Sequence, residues 1–171
     1  PVNTQALIKE IIADVSEDLK ERGIEITATL AETPDIMADR TDIYTIIAHL
    51  IKNAAESIEK NAALNAREIR IETVLNDSAI SVLSKDSGMV QKQAAIAVLV
   101  KDTGTGIPTE QWESIFEQYL SGGTTAQRHR MSLSILRKII RYYYGDISVV
   151  SSSPDLGTEF QVIIPCRQVQ A

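Results

Sequence analysis

From Ala94 to Val100 every residue is apolar, with polar Gln93 and Lys101 on either side. Such a run is too short to span a bilayer and fits a strand at the centre of a sheet. The rest of the chain must supply that strand's neighbours and its cover. Ile69, Ile71 and Leu75 alternate with Arg70 and Glu72, and Ile24, Ile26, Ala28 and Leu30 alternate with Glu25, Thr27 and Thr29. Each pattern describes a strand with one buried and one wet face, and the 69–75 strand is expected to pair antiparallel with the central one. Ile147 to Ser151 and Thr158 to Ile164, on either side of a turn at Pro154 to Gly157, complete the strands.

Three segments carry the helical period instead. Leu7, Ile8, Ile11, Ile12, Val15 and Leu19 form one stripe between Thr4 and Arg22, and Gly23 ends it. After Pro34, Asp39 is placed as an N-cap with Asp42 three residues on, and Ile43, Ile46, Ile47, Leu50, Ile51, Ala54, Ala55 and Ile58 follow. Leu133, Leu136, Ile139, Ile140 and Tyr143 form the third stripe, closed by Gly145. A shorter helix is expected from Glu110 to Phe116. Half-wet strands and single-stripe helices are satisfied together by an α/β (α+β) two-layer sandwich, a mixed, mostly antiparallel sheet with helices on one face. Neither a repeat nor a domain boundary interrupts residues 1–171, which read as one domain. Asn76 to Gln93 is polar and Ser-rich, strand-like only at Ile80, Val82 and Leu83, and is expected to be a flexible insertion or flap over 76–93.

Composition narrows the function classes. A net charge of -6 and a pI near 5.0 give no basic field for a polyphosphate backbone, so nucleic acid is not an expected partner. A single cysteine, Cys166, rules out an internal disulfide and a Cys-built zinc site. Without an apolar leader or span, a soluble cytoplasmic domain is expected. The missing initiator Met and the immediate helical pattern imply a piece of something longer.

Three constellations can carry chemistry. Asp102-Thr103-Gly104-Thr105-Gly106-Ile107 follows the central strand directly. Glycines one residue apart let backbone approach a ligand, and a carboxylate at a strand end can accept from an amino group; a surface turn capped by Asp102 has the same sequence. On the second helix, His49, Asn53 and Glu56 fall on the face away from the apolar stripe. An Asn amide oxygen can hold magnesium, and His49, one turn earlier, can orient or deprotonate a group; a solvated helix face reads alike. Finally, Ile115 to Leu120 gives an aromatic anchor before Ser121-Gly122-Gly123-Thr124-Thr125, which reads as a plain loop or as a lid turning hydroxyls and N–H groups toward phosphate. The helix start near Met131 would present a positive dipole end to that phosphate.

Together these motifs resemble the ATP-binding catalytic domain of two-component sensor histidine kinases, which share the Bergerat fold with gyrase, Hsp90 and MutL. The likeness runs from Pro1 to about Pro165. HLIKNAAESI is similar to the family's N box, DTGTGI to its first glycine box, IFEQYLSGGTT to its F box and lid, and GDISVVSSSPDLGTEFQVIIP to its closing strand pair. The resemblance implies a protein-histidine kinase domain that binds ATP and Mg2+. Asp102 would meet the adenine amino group. Gly104, Gly106 and Ile107 would lie beside the nucleotide, and Thr124, Thr125, Arg130, Leu133 and Thr158 would complete the nucleotide set. Asn53 would hold the metal, and His49 takes the place where relatives carry Glu, His or Asn. The γ-phosphate would pass to a histidine on the protein's own N-terminal dimerisation domain, within a full-length homodimer that serves a response regulator and has room for membrane attachment.

This sequence departs from the family at two places. The second glycine box is replaced by Arg130-Met131-Ser132-Leu133, where a Cβ obstructs the close backbone approach that glycine allows. Arg130 either compensates by charge or occupies the phosphate site itself. The alternative function is therefore a degenerate, non-catalytic docking module. Glu56 and Ser57 stand where many relatives carry Lys and an aromatic residue. A gyrase-like ATPase is disfavoured because the Glu general base is absent at His49.

Overall fold

The computed structural model describes residues 1–60, 66–83, 90–117, 132–154 and 156–166; of residues 77–83 and 90–93 it describes the backbone. Helix α1 spans Thr4–Glu21, β1 Glu25–Leu30, α2 Arg40–Glu59, β2 Glu68–Leu83, β3 Val90–Asp102, α3 Leu133–Tyr142, β4 Asp146–Ser153 and β5 Gly157–Pro165. The sheet order is β1-β2-β3-β5-β4. The β1–β2 pair is parallel, joined through α2, and the other pairs are antiparallel. The apolar run at Ala94 to Val100 lies in β3, between β2 and β5, as its composition requires.

The helices cover one face. Ile46, Ile47, Leu50 and Ile58 of α2 are fully buried, as are Ile69 and Ile71 of β2, Ile96 and Val98 of β3 and Val162 of β5. Each such side chain contributes about 1.5–3 kcal/mol through burial. On the opposite face, Arg70 and Lys101 are exposed and Glu72 and Glu159 half-exposed, so the sheet is open on that side. On edge strand β1 the alternation is weaker than expected: Ile26 and Leu30 are half-buried and Ala28 is exposed. Among the described residues no helix is long and apolar enough to cross a membrane.

Two helix ends reach the same geometry with different residues. After α1, Gly23 takes φ +66° while its N–H donates to Lys20 O and that of Ile24 to Leu19 O. After α3 the left-handed position is Tyr144, at φ 62°, and Gly145 follows it, its N–H donating to Ile140 O. Gly145 is required for proximity instead, because a Cβ there would stand 2.2 Å from Ile163 O.

Two further expectations change. The helix expected at Glu110 to Phe116 is two 3₁₀ turns, Thr109–Gln111 and Ser114–Phe116, because Trp112 Nε1 donates to Ile107 O at 3.1 Å and folds the segment back on its start. Of the stretch expected to be an insertion over 76–93, residues 76–83 and 90–93 extend the ladder, Ile80 pairing with Gln93 and Leu83 with Val90 after a register shift between Asn76 and Ile80, and residues 84–89 lie outside the described residues.

Candidate functional site

Asp102 is the last residue of β3, in phase with buried Ile96, Val98 and Val100, so its carboxyl falls on the helix-covered face and is 2% exposed. The sequence turns back there. Gly104 N–H donates to Asp102 Oδ1 at 2.7 Å, and the Thr158 backbone N–H and Ser57 hydroxyl also favour the charged form of this carboxylate. Burial pushes Asp102 up to about 6, against the opposing pull of those three groups.

The cavity beside Asp102 measures about 210 Å³. One wall is α2, through Asn53, Glu56, Ser57 and Lys60, whose spacing places them on a single helix face. The polar stripe that could have been a solvated surface therefore lines a cavity over these two turns. The turn after β3 supplies Asp102, Thr105, Gly106 and Ile107, and Leu133, Thr158 and Phe160 close the far side. Ile107, Leu133 and Phe160 make an apolar slot beside a buried acceptor, a combination suited to a flat ring bearing an amino group.

Backbone proximity sets the turn's composition. Gly106 adopts φ +75°, and a Cβ there would stand 2.0 Å from Ser153 O; a Cβ at Gly104 would stand 2.1 Å from Ser57 Oγ. Thr103 Oγ1 donates to Ala66 O at 2.9 Å and accepts from Glu68 N at 3.0 Å, fixing the turn to the start of β2. Ile107 N–H donates to Ser152 Oγ at 2.7 Å. Ser152 also lies 3.1 Å from Gly157 O and 2.9 Å from Thr158 Oγ1. When its one proton goes to the Gly157 carbonyl, Thr158 must donate in the hydroxyl pair.

An aromatic clamp supports the far wall. Phe116 meets Phe160 edge-on, ring centroids 6.3 Å apart, and Arg137 lies 4.7 Å over the Phe116 ring. Arg137 is itself held by Asp146 at 2.8 Å and Glu113 at 2.9 Å. The anchor read from the sequence at Phe116 thus packs against a cavity-lining residue.

The structure brings Asn53, Asp102, Gly106, Ile107, Leu133 and Thr158 to one cavity. Gly104 is not in the lining and packs behind it on Ser57. His49, expected beside Asn53, is half-buried one turn earlier on α2 and outside the lining, because the cavity lies at that helix's C-terminal half. Thr124, Thr125 and Arg130 lie outside the described residues, and Ser132 is the N-cap of α3. Sequence reasoning missed Ser57 as a site residue, and Ser152, Lys60 and Phe160. Phe160 sits in the Gly-Thr-x-Phe stretch and could have been found there; Ser152 carries no local signal.

Residues 38–168 match the family model described as histidine kinase-, DNA gyrase B-, and HSP90-like ATPase. The chain is 29% identical over 164 residues to the adaptive-response sensory kinase SasA of Microcystis aeruginosa, covering 94% of this chain and 37% of that protein. It is 31% identical to the sensor histidine kinase RcsC of Escherichia coli, covering 98% of this chain and 19% of that one. The chain thus spans little more than a third, or less, of the relatives it matches. The catalytic domain of the histidine kinase ThkA superposes with a TM-score of 0.65 at 25% identity, over 96% of this chain and 93% of that one. Full-length ShkA, solved in complex with AMPPNP, shares the fold with a TM-score of 0.71 at 23% identity, over 100% of this chain and 32% of that one.

Proposed function

Because the chain belongs to the histidine kinase-, DNA gyrase B-, and HSP90-like ATPases, as an ATP-binding domain of the sensor histidine kinase kind, we propose that its cavity holds the adenine of ATP and that the domain donates the γ-phosphoryl group to a histidine on a separate dimerisation domain. The observation that carries this reading is the state of Asp102. An ionised carboxylate has about four acceptor sites, and the Gly104 N–H takes one of them at 2.7 Å. The acceptor capacity left on this buried group serves an amino group entering the slot between Ile107, Leu133 and Phe160.

Phosphoryl transfer is mostly positioning and charge stabilisation, so the domain needs a cradle and a metal-holding oxygen more than a nucleophile. Among the described residues no group of three or more His, Cys, Asp or Glu is placed to hold a metal alone. The donors present suit Mg2+ nonetheless, since that ion is commonly held by one or two protein oxygens together with substrate phosphates. Asn53 would hold it through its amide oxygen, with the Glu56 carboxylate on the same cavity wall. When bound, the ion neutralises phosphate charge. In the transfer the bond from the γ-phosphorus to the bridging oxygen breaks, a bond to an imidazole nitrogen of the acceptor forms, and ADP leaves with the bridging electron pair.

His49 lies on α2 outside the cavity lining and His129 lies outside the described residues; we read the acceptor as a histidine on another part of a longer protein. The short span of the matched relatives supports that reading, and we extend it to a dimeric full-length kinase acting on a response regulator from the cytoplasmic side. Calorimetric titration with a non-hydrolysable ATP analogue and magnesium tests the binding half, and labelled phosphate transfer to an added dimerisation domain tests the rest. Saturable 1:1 binding is expected. No heat and no competition by ADP would remove the nucleotide reading.

A further inference from the structure

Arg137 gathers three parts of the chain around one cation. Its Nε and Nη2 donate to Asp146 Oδ1 and Oδ2 at 2.8 and 3.1 Å, its Nη1 donates to Glu113 Oε2 at 2.9 Å, and its guanidinium carbon lies 4.7 Å over the Phe116 ring. All three nitrogens are committed to carboxylates, so the cation is held against the ring from β4 and from the segment between the two 3₁₀ turns at once. The side chain is 13% exposed, and a partly desolvated cation over an aromatic ring is attracted more strongly than one in water.

Each contact of this cluster leads to one wall of the apolar slot. Leu133 lies one turn before Arg137 on α3, Phe116 meets Phe160 edge-on with ring centroids 6.3 Å apart, and Trp112, next to Glu113, donates to Ile107 O at 3.1 Å. Leu133, Phe160 and Ile107 line the cavity, and Arg137 does not. We propose that Arg137 is a positioning residue for base recognition: without touching the cavity, it presses Phe116 onto Phe160 and so fixes the width of the slot that receives the base. This rests on the reading of the cavity as the nucleotide site. A lysine could not do the same, because a single ammonium replaces a planar fork that bonds two carboxylates while it lies over the ring.

The test compares the parent with Arg137→Met, Arg137→Lys, Phe116→Leu and the double variant that joins Arg137→Met to Phe116→Leu. Arg137→Met keeps the apolar stem and strands no buried charge, because Asp146 retains Arg141 at 3.1 Å and Glu113 is 74% exposed. Two readouts are taken well below each variant's melting temperature: the nuclear Overhauser effect between the Phe116 and Phe160 rings without nucleotide, and the affinity for a non-hydrolysable ATP analogue with magnesium. Arg137→Met should weaken the ring contact and lower affinity about fivefold, with Arg137→Lys about twofold down. In the Phe116→Leu background the same Arg137→Met change should cost almost nothing, since the ring it acts through is gone. An unmoved ring contact, parent-like affinity in Arg137→Met, or an equal loss in the Phe116→Leu background overturns the proposal and leaves Arg137 a structural tie, whatever it does to melting. If Arg137→Met does not fold, Arg137→Lys carries both readouts with the same sign. A weakened ring contact while no form, parent included, binds the analogue supports the link from Arg137 to Phe160 and overturns the nucleotide reading instead.

Discussion

Ile107 donates its backbone N–H to the Ser152 hydroxyl at 2.7 Å, tying the glycine-rich turn to β4 across 45 residues of sequence. Ser152→Ala leaves that half-buried N–H without its acceptor, which costs roughly 1–3 kcal/mol. Chemical denaturation should show the loss, and nucleotide affinity should fall with it because Ile107 lines the cavity. Unchanged stability would mean that the Trp112 bond to Ile107 O holds the turn by itself.

Asp102→Asn should weaken nucleotide binding and stabilise the ligand-free fold at neutral pH. Burial raises the folded-state value from 3.8 to about 6, so the folded protein binds this proton more tightly than the unfolded chain. The favourable contribution is complete below the unfolded value and lost as pH rises through the folded one. At pH 7.5 the ionised carboxylate therefore costs the fold roughly 3 kcal/mol, and the amide removes that cost. Thermal melts at pH 7.5 and pH 4 check the sign: the variant should melt higher than the parent at pH 7.5, with the difference vanishing near pH 4. A lower melting temperature at both would contradict it.

Asn53→Ala is expected to reduce affinity for the ATP analogue mainly when magnesium is present, since Asn53 faces the cavity from α2, opposite the apolar slot. Parallel titrations with magnesium and with chelator measure the difference. Equal losses in both would assign Asn53 to direct nucleotide contact without metal.

Tyr144→Gly should raise the melting temperature and leave nucleotide binding alone. A left-handed L-residue costs about 1–2 kcal/mol, glycine gives back up to about 1 kcal/mol in backbone entropy, and the 57% exposed ring has little packing to lose. Tyr144 is absent from the cavity lining. A fall in melting temperature would show that the ring's remaining contacts outweigh the strain.

The architecture was legible because its signals are local. Helical stripes and strand alternation each report one element's buried face, and Asp102-Thr103-Gly104-Thr105-Gly106 marks a strand end meeting a ligand-sized gap. What was illegible depends on register between distant elements. Ser152 reaches Ile107 only because β4 pairs with β5 and β5 with β3, and Ser57 reaches Thr105 only because the C-terminal half of α2 packs over the turn after β3. Gly145 closes α3 as its sequence position suggests, but it is Tyr144 that takes the left-handed conformation there, and Gly145 is needed for its distance to Ile163 O. The turns from Thr109 to Phe116 failed as a helix because one side-chain bond, from Trp112, overrides their propensity.

The central claim is that the Asp102 carboxylate recognises the adenine amino group, and its most direct test is a two-by-two comparison. ATP and purine riboside triphosphate, which lacks only that amino group, are titrated against the parent and against Asp102→Asn. A hydrogen bond to a charged group is worth roughly 1.5–3 kcal/mol, so the parent should prefer ATP by about tenfold or more and the Asn variant should largely lose the preference. Equal affinities of the parent for the two nucleotides, or an undiminished preference in the variant, would contradict the account.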